Sequence, residues 1–363
     1  MKFENSKGKK ILLVTPYNRK KSEFSKGGIA IWSILYMEEV KKTNYEVHVV
    51  DTTAIGKRMK KNNAKKNLFL EVIRAFKIIV TFMWKITFKK PDIIHINSAC
   101  GTAGLFRDYI CLLFTNRRKH NVILHLHCDV ERALAKHKNS KLIEKCLKRV
   151  NVVLVLNNKS YEYCKKFNYK SEVVIVPNFI NRLMVKNTVV QSRDCIENVV
   201  FVGFIQREKG ILEIIEISKM FPTISFTLVG DKSPEFNDFI FPKNVSVLEH
   251  ATRDEVFKQL DKSDLFLFPS HSEGFSMALL EAMSRGLPIV CTNVGANEEM
   301  VLNGGIVVDI GDISKMIISI KRIGNPAIRQ KMAKDNIERV LNNYTSDKIF
   351  SIFELVYNPR NIS

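Results

Sequence analysis

Short apolar runs recur along the chain. Each is closed by turn residues and followed by a longer stretch whose apolar positions fall three and four apart. The runs read as buried strands and the longer stretches as amphipathic helices. In the first half, strands are predicted at 11–15, 45–50, 92–96, 122–126, 152–156 and 173–176, with helices near 29–42, 68–88, 102–115, 138–149 and 160–167. In the second half, strands are predicted at 198–202, 225–229, 245–248, 265–268, 289–292 and 305–308, with helices between them and a helical stretch over 327–357. Strand–helix alternation implies parallel sheets covered on both faces. A chain of 363 residues is longer than one hydrophobic core supports. Two doubly wound domains are therefore expected, joined near 178–197. Ligands of such sheets sit beyond the carboxyl ends of the strands, so facing edges would make an interdomain cleft.

Charge divides the same way. Of 57 Lys and Arg and 37 Asp and Glu, residues 1–190 hold 38 and 14, a balance of +24, leaving −4 for the rest. A field of that size favours a polyanionic partner, nucleic acid or an anionic leaflet. No helix-turn-helix, zinc finger or aromatic RNA-binding motif accompanies it, which argues against nucleic acid. The segment 68–88 mixes Phe76, Ile79, Val80 and Trp84 with Arg74, Lys77 and Lys85. It is too interrupted to span a bilayer. It suits either a helix lying in the interface with its basic residues outward, or a core helix. The seven cysteines show no metal-binding spacing. Their odd, scattered set is expected to be reduced thiols, neither disulfides nor a zinc site, in a reducing cytoplasm.

The chemistry concentrates at residues 264–283. A strand closed by Pro269 leads into a turn carrying Glu273, and Glu281 follows eight residues later inside the apolar helical run Phe275-Ser276-Met277-Ala278-Leu279-Leu280. A helix start behind a small-residue turn offers unpaired amides to an anion. Glu273 beside such amides suits uncharged hydroxyls. Amides for phosphate and carboxylates for hydroxyls together describe a nucleotide-sugar. Upstream, Gly203 ends a strand and Lys209-Gly210 opens the next helix, an arrangement suited to a diphosphate, with Arg207 in the same loop. In the first half, Gly27-Gly28 follows the first strand, and alternation puts His125 and His127 on one strand face.

These residues resemble the retaining glycosyltransferase family 4. Glu273 and Glu281, with Gly274-Phe275 and the run Ala282 to Val290, look like its E-x7-E element. Phe201-Val202-Gly203 with Glu208-Lys209-Gly210 resembles its phosphate-binding loop, Val176-Pro177-Asn178 its interdomain segment, and Gly295 with Glu298-Glu299-Met300-Val301 its Gly-Gly-x-Pro-Glu segment. The likeness covers most of the second half and is thinner in the first. Two departures are Phe204, where arginine is common, and Phe179, where glycine is usual.

The resemblance implies the GT-B fold. The expected division is an acceptor-binding domain over 1–180, a nucleotide-sugar domain over 181–342, and a C-terminal helix over 343–363 that crosses back. It implies that His127, Lys209 and Glu273 serve catalysis, with His127 near the anomeric carbon. Donor contacts would come from Gly203, Arg207, Lys209, Glu273, Gly274, Phe275, Ser276 and Glu281, and sugar or acceptor contacts from Gly27 and Gly28. Glu281 would take the ribose hydroxyls, and the Ser276 hydroxyl adds a donor. Absence of any Asp-x-Asp points to a metal-independent reaction without cofactor. The expected activity is retaining transfer from a nucleotide-diphosphate sugar, UDP favoured and GDP left open, to a saccharide hydroxyl. A lipid-linked acceptor in surface-polysaccharide synthesis and a place at the inner membrane face fit the basic half. Two alternatives remain: a non-catalytic partner subunit of the same fold, and a nucleotide-sugar epimerase, which would turn donor over without acceptor.

Overall fold

A computed structural model of the chain describes residues 8–17, 27–53, 64–134, 137–167, 170–187 and 194–359. It divides into two units, Met1–Val176 with Phe350–Ser363, and Pro177–Ile349.

The first unit runs β1 (Lys10–Thr15), α1 (Gly28–Val40), β2 (Glu46–Asp51), α2 (Ala64–Lys89), β3 (Ile93–Ser98), α3 (Thr102–Leu113), β4 (Asn121–Leu126), α4 (Val130–Leu134), α5 (His137–Leu147), β5 (Val152–Val155), α6 (Asn158–Lys165) and β6 (Glu172–Ile175). Its sheet is parallel, ordered β2-β1-β3-β4-β5-β6. The order reverses between β1 and β3, the position where doubly wound sheets open a crevice. On one face Leu12, Val14, Ile94, Ile96 and Leu124 pack with Ile78 and Phe82 of α2, Leu105 of α3 and Ile143 of α5 in one buried cluster. The other face receives the chain's last helix. There the Tyr357 hydroxyl lies 2.7 Å from the Tyr36 hydroxyl and 2.7 Å from His95 Nδ1, and Phe353 is buried.

The second unit runs β7 (Asn198–Val202), α7 (Ile211–Met220), β8 (Ser225–Val229), β9 (Val245–Leu248), α8 (Arg253–Lys262), β10 (Leu265–Phe268), α9 (Met277–Ser284), β11 (Ile289–Thr292), α10 (Asn297–Val301), β12 (Gly305–Val308), α11 (Ile313–Ile323) and α12 (Pro326–Asn343), and α13 (Ser346–Tyr357) spans the boundary between units. Its parallel sheet is ordered β12-β11-β10-β7-β8-β9, with the reversal between β7 and β10. All six strands of this unit match the sequence reading.

Several expectations are corrected. Between β8 and β9 there is only a short 3-10 turn, Pro234–Phe236, where a helix was expected. The helical stretch over 327–357 is interrupted: Ile180 donates to the Tyr344 carbonyl at 2.9 Å and accepts from Ser346 N at 2.9 Å. That bridge takes backbone groups that a continuous helix would use. On α2, Arg74 and Lys85 do not face outward. They donate to the carbonyls of Thr52 and Val49, capping the edge formed by β2.

The reduced-thiol expectation also fails, because Cys100 and Cys128 form a disulfide. Ser98 of β3 pairs in register with Leu126 of β4, so the second residue beyond each strand end meets the other. Their Cα atoms are 6.2 Å apart, within bridging range. A spacing of 28 residues carries no hint of that register. Cys111, Cys146, Cys164 and Cys291 are free and buried, and Cys195 is free and exposed.

Candidate active site

In the second unit the sequence-predicted donor residues gather at the carboxyl ends of β7 and β10, the strands flanking the reversal. The β7–α7 loop carries Lys209 and the β10–α9 turn carries Glu273. Lys209 Nζ lies 2.5 Å from Glu273 Oε1 and 3.5 Å from the Ser272 carbonyl. The two side chains are 23% and 11% exposed, so the pair is largely shielded from solvent.

Glycines make this approach possible. Gly210 has φ 75°, and a Cβ there would fall 2.1 Å from the Pro269 carbonyl oxygen. Gly295 has φ 52°, and a Cβ there would fall 2.3 Å from the Glu273 carbonyl oxygen. Both positions combine a left-handed backbone with no room for a side chain.

The turn is braced from several sides. His271 N donates to the Glu208 carbonyl at 2.9 Å, and Ala296 N donates to the Gly274 carbonyl at 3.0 Å. Asn178 Nδ2 donates to the Phe275 carbonyl at 2.9 Å, which gives the Val176-Pro177-Asn178 segment a structural job. Ser276, buried, caps α9 by accepting from Leu279 N at 3.2 Å, which leaves its hydroxyl proton available to donate. In α9 the amides of Met277 and Ala278, and in α7 those of Ile211, Leu212 and Glu213, have no carbonyl of their own helix in reach, while Leu279 N is taken by the Ser276 cap.

Glu281 sits on α9 and is only 4% exposed. Burial pushes its carboxyl up to about 7, opposed by the Arg253 guanidinium. Arg253 Nε is 3.8 Å from Glu281 Oε1, and Arg253 Nε and Nη2 have no hydrogen-bond partner among the described residues. Sequence reading missed Arg253. Its one signal is its place directly after Thr252, which with Glu255 forms the capping box that opens α8. Two other residues lie apart from the pair. Arg207 Nε donates to Glu235 Oε2 at 2.8 Å, and the Phe204 side chain stands 36% exposed. Gly203 follows β7, its amide donating to the Val229 carbonyl at 2.9 Å.

The first unit holds its own cluster at the β1–β3 reversal. His127 Nε2 is 3.1 Å from Asn97 Oδ1. Asn97 Nδ2 donates to Thr15 Oγ1 at 2.9 Å, Thr15 Oγ1 is 2.6 Å from Ser33 Oγ, and Ser33 Oγ donates to the Ile29 carbonyl at 2.7 Å. A chain of hydrogen bonds thus ties His127 to the first turn of α1, directly after Gly27 and Gly28. Gly27 has φ 112°, and its carbonyl accepts from Ala30 N at 3.1 Å. His125 and His127 share a face, as alternation required: their ring centroids are 3.9 Å apart and both rings meet Trp32 edge-on. Burial first, then His95, holds the His127 pKa down to about 3, so the ring is neutral near pH 7. An amide that donates to Thr15 presents its oxygen to His127, which makes Nε2 the protonated nitrogen and Nδ1 the acceptor.

The family described as glycosyl transferases group 1 matches residues 196–325, the segment that carries Gly203, Lys209, Glu273 and Glu281. Over 80% of its length the chain is 24% identical to 82% of the UDP-Gal:alpha-D-GlcNAc-diphosphoundecaprenol alpha-1,3-galactosyltransferase of Escherichia coli. Over 44% of its length it is 28% identical to 45% of the capsular polysaccharide biosynthesis glycosyltransferase CapM of Staphylococcus aureus. Sucrose-phosphate synthase from Thermosynechococcus elongatus superposes with a TM-score of 0.77 at 16% identity, covering 96% of this chain and 98% of that one. Two parallel six-stranded sheets with flanking helices and that superposition are the GT-B fold. Residues 196–325 thus form a glycosyl transferases group 1 domain, of the family 4 type, in a chain with the GT-B fold.

Proposed function

We propose that the protein transfers a sugar from a nucleotide-diphosphate donor, with UDP favoured, to a saccharide hydroxyl, with retention and without a metal. The observation that carries this reading is the Lys209–Glu273 contact at the strand reversal of the second unit. A cation beside helix-opening amides meets the charge of a diphosphate, and a carboxylate beside them meets sugar hydroxyls. Glu281, buried one helix turn and more beyond, takes the ribose hydroxyls, with Arg253 alongside.

In this mechanism the bond between the anomeric carbon and the diphosphate oxygen breaks first. Lys209 and the α7 and α9 amides hold the growing negative charge on the leaving phosphate. The acceptor oxygen then bonds to the anomeric carbon on the face the phosphate left, and its proton passes to a phosphate oxygen. His127, neutral and with Nδ1 as an acceptor, orients a hydroxyl of the transferred sugar. The names of the Escherichia coli and Staphylococcus aureus relatives support a role in surface-polysaccharide synthesis, with a lipid-diphosphate-linked acceptor reached from a membrane surface.

A thermal-shift screen of UDP-, GDP- and ADP-sugars, followed by assay of released nucleotide, tests the proposal. Stabilisation by one class and release of its diphosphate on adding saccharide acceptor are expected. Binding without release under any condition would favour the non-catalytic partner subunit.

A further inference from the structure

The outer layer of the first unit, formed by α2, α3 and α5, carries two features that the transfer reaction does not use. The first is an apolar stripe along α2. Ile73, Phe76, Val80, Trp84 and Phe88 recur at three- and four-residue intervals on the side opposite Ile78 and Phe82, and Phe76, Trp84 and Phe88 are 68, 51 and 66% exposed. Large rings in a row on a solvent face mark an interaction surface. The second is a groove of about 700 Å³ between the carboxyl ends of α3 and α5, lined by Arg117, Arg118, Lys145, Lys148 and Arg149. One cation per helix end would satisfy the helix dipoles; this groove holds five. Arg118, Lys145 and Arg149 have no carboxylate partner among the described residues.

The groove lies where the chain enters β4 at Asn121 and β5 at Val152. That is the amino-end edge of the sheet, opposite the edge bearing His127, so the groove is no part of the candidate active site.

We propose that the α2–α3–α5 face docks on an anionic lipid bilayer, with α2 lying flat, its aromatic stripe among the acyl chains, and the groove receiving lipid phosphates. This deepens the membrane-surface part of the proposed function and rests on that reading for its purpose. Charge complementarity selects the occupant. A second copy packed symmetrically on this face would bring one cationic groove against another. An amphipathic helix with flanking cations is instead suited to an anionic interface. No described helix is long and apolar enough to cross a membrane, so attachment would be reversible.

The test uses the full chain with vesicles of phosphatidylcholine alone or mixed with phosphatidylglycerol. The chain has two tryptophans, and Trp32 is fully buried, so emission changes report on Trp84. Co-sedimentation with the anionic vesicles alone and a shift of Trp84 emission to shorter wavelength are expected. R118A/K145A/R149A should lower partitioning about a hundredfold, and F76S/F88S should abolish the emission shift. Both variants should keep wild-type melting behaviour and nucleotide-diphosphate binding. Wild-type protein left in the supernatant at low salt would overturn the proposal. So would undiminished binding of the charge variant, or a solution dimer that F76S/F88S converts to monomer. Loss of nucleotide binding in the wild type would instead sink the transfer reading and leave this one standing.

Discussion

Lys209 and Glu273, 64 residues apart in sequence, meet at 2.5 Å through the loops that follow two neighbouring parallel strands. The opposite charges hold each other in a partly desolvated pocket, where removing one partner leaves the other costly. On the proposed function, donor binding would redistribute this pair, the ammonium turning to phosphate and the carboxylate to hydroxyls.

Glu281 ties the proposed donor site to stability. Its folded pKa of about 7 lies above the ordinary 4.5 because burial disfavours the charged form. The folded state therefore holds the proton more tightly than the unfolded chain. Stability contributed by Glu281 is complete below pH 4.5, falls as pH rises to 7, and is constant above. Glu281→Gln should be more stable than wild type above pH 7 by roughly 3 kcal/mol, with no difference below pH 4.5. The same change should weaken donor binding tenfold to a hundredfold through loss of a charge-assisted hydrogen bond. Denaturant titrations at two pH values and donor titration read both effects, and unchanged donor affinity would remove Glu281 from the site.

Asn97 holds the His127 ring through the hydrogen bond that Nε2 donates to its Oδ1. Asn97→Ala frees the imidazole to rotate, and kcat should fall about tenfold, in line with one lost hydrogen bond. Nucleotide-diphosphate affinity should be unaffected. A rise in KM with kcat intact would place His127 in ground-state binding instead.

Buried histidines make the first unit acid-sensitive. Burial holds His95 down to about 3 and His125 well below the ordinary 6.5. The unfolded chain binds protons that these rings refuse, so stability is complete above pH 6.5 and lost as pH falls below it, down to about 3 for His95. Each ring contributes about 1.4 kcal/mol per pH unit across that window. Replacing both, as His95→Phe with His125→Leu, should flatten the pH dependence of unfolding by about twice that slope. An unaltered slope would contradict the assignment.

Transfer should persist after exhaustive treatment with EDTA, because in the proposed mechanism Lys209 and the helix-opening amides meet the diphosphate charge. Complete loss of activity, restored by Mn²⁺, would require carboxylate ligands this account does not assign.

Much of this architecture was legible in the chain because strand periodicity and glycine placement are local signals. The strands from Asn198 to Val308 declare themselves as apolar runs between turn residues, and Glu273 and Glu281 stand out as carboxylates on either side of the apolar run 275–280. What stayed hidden depends on register and on side-chain competition. The Cys100–Cys128 bridge needs the pairing of β3 with β4. The capping role of Ser276 and the capture of Arg207 by Glu235 are contests between partners distant in sequence. Arg253 was invisible because nothing local announces that α8 aims its first residue at α9.

The most direct test of the central claim is single-turnover release of nucleoside diphosphate from the donor that stabilises the protein, comparing wild type with Lys209→Ala. If phosphate charge grows as the glycosidic bond breaks, Lys209 acts mainly in the transition state. The variant should then lose on the order of a hundredfold in release rate, while donor affinity changes less than tenfold. Equal release rates for the two proteins would show that Lys209 only holds Glu273 in place, and the account of donor activation would be wrong.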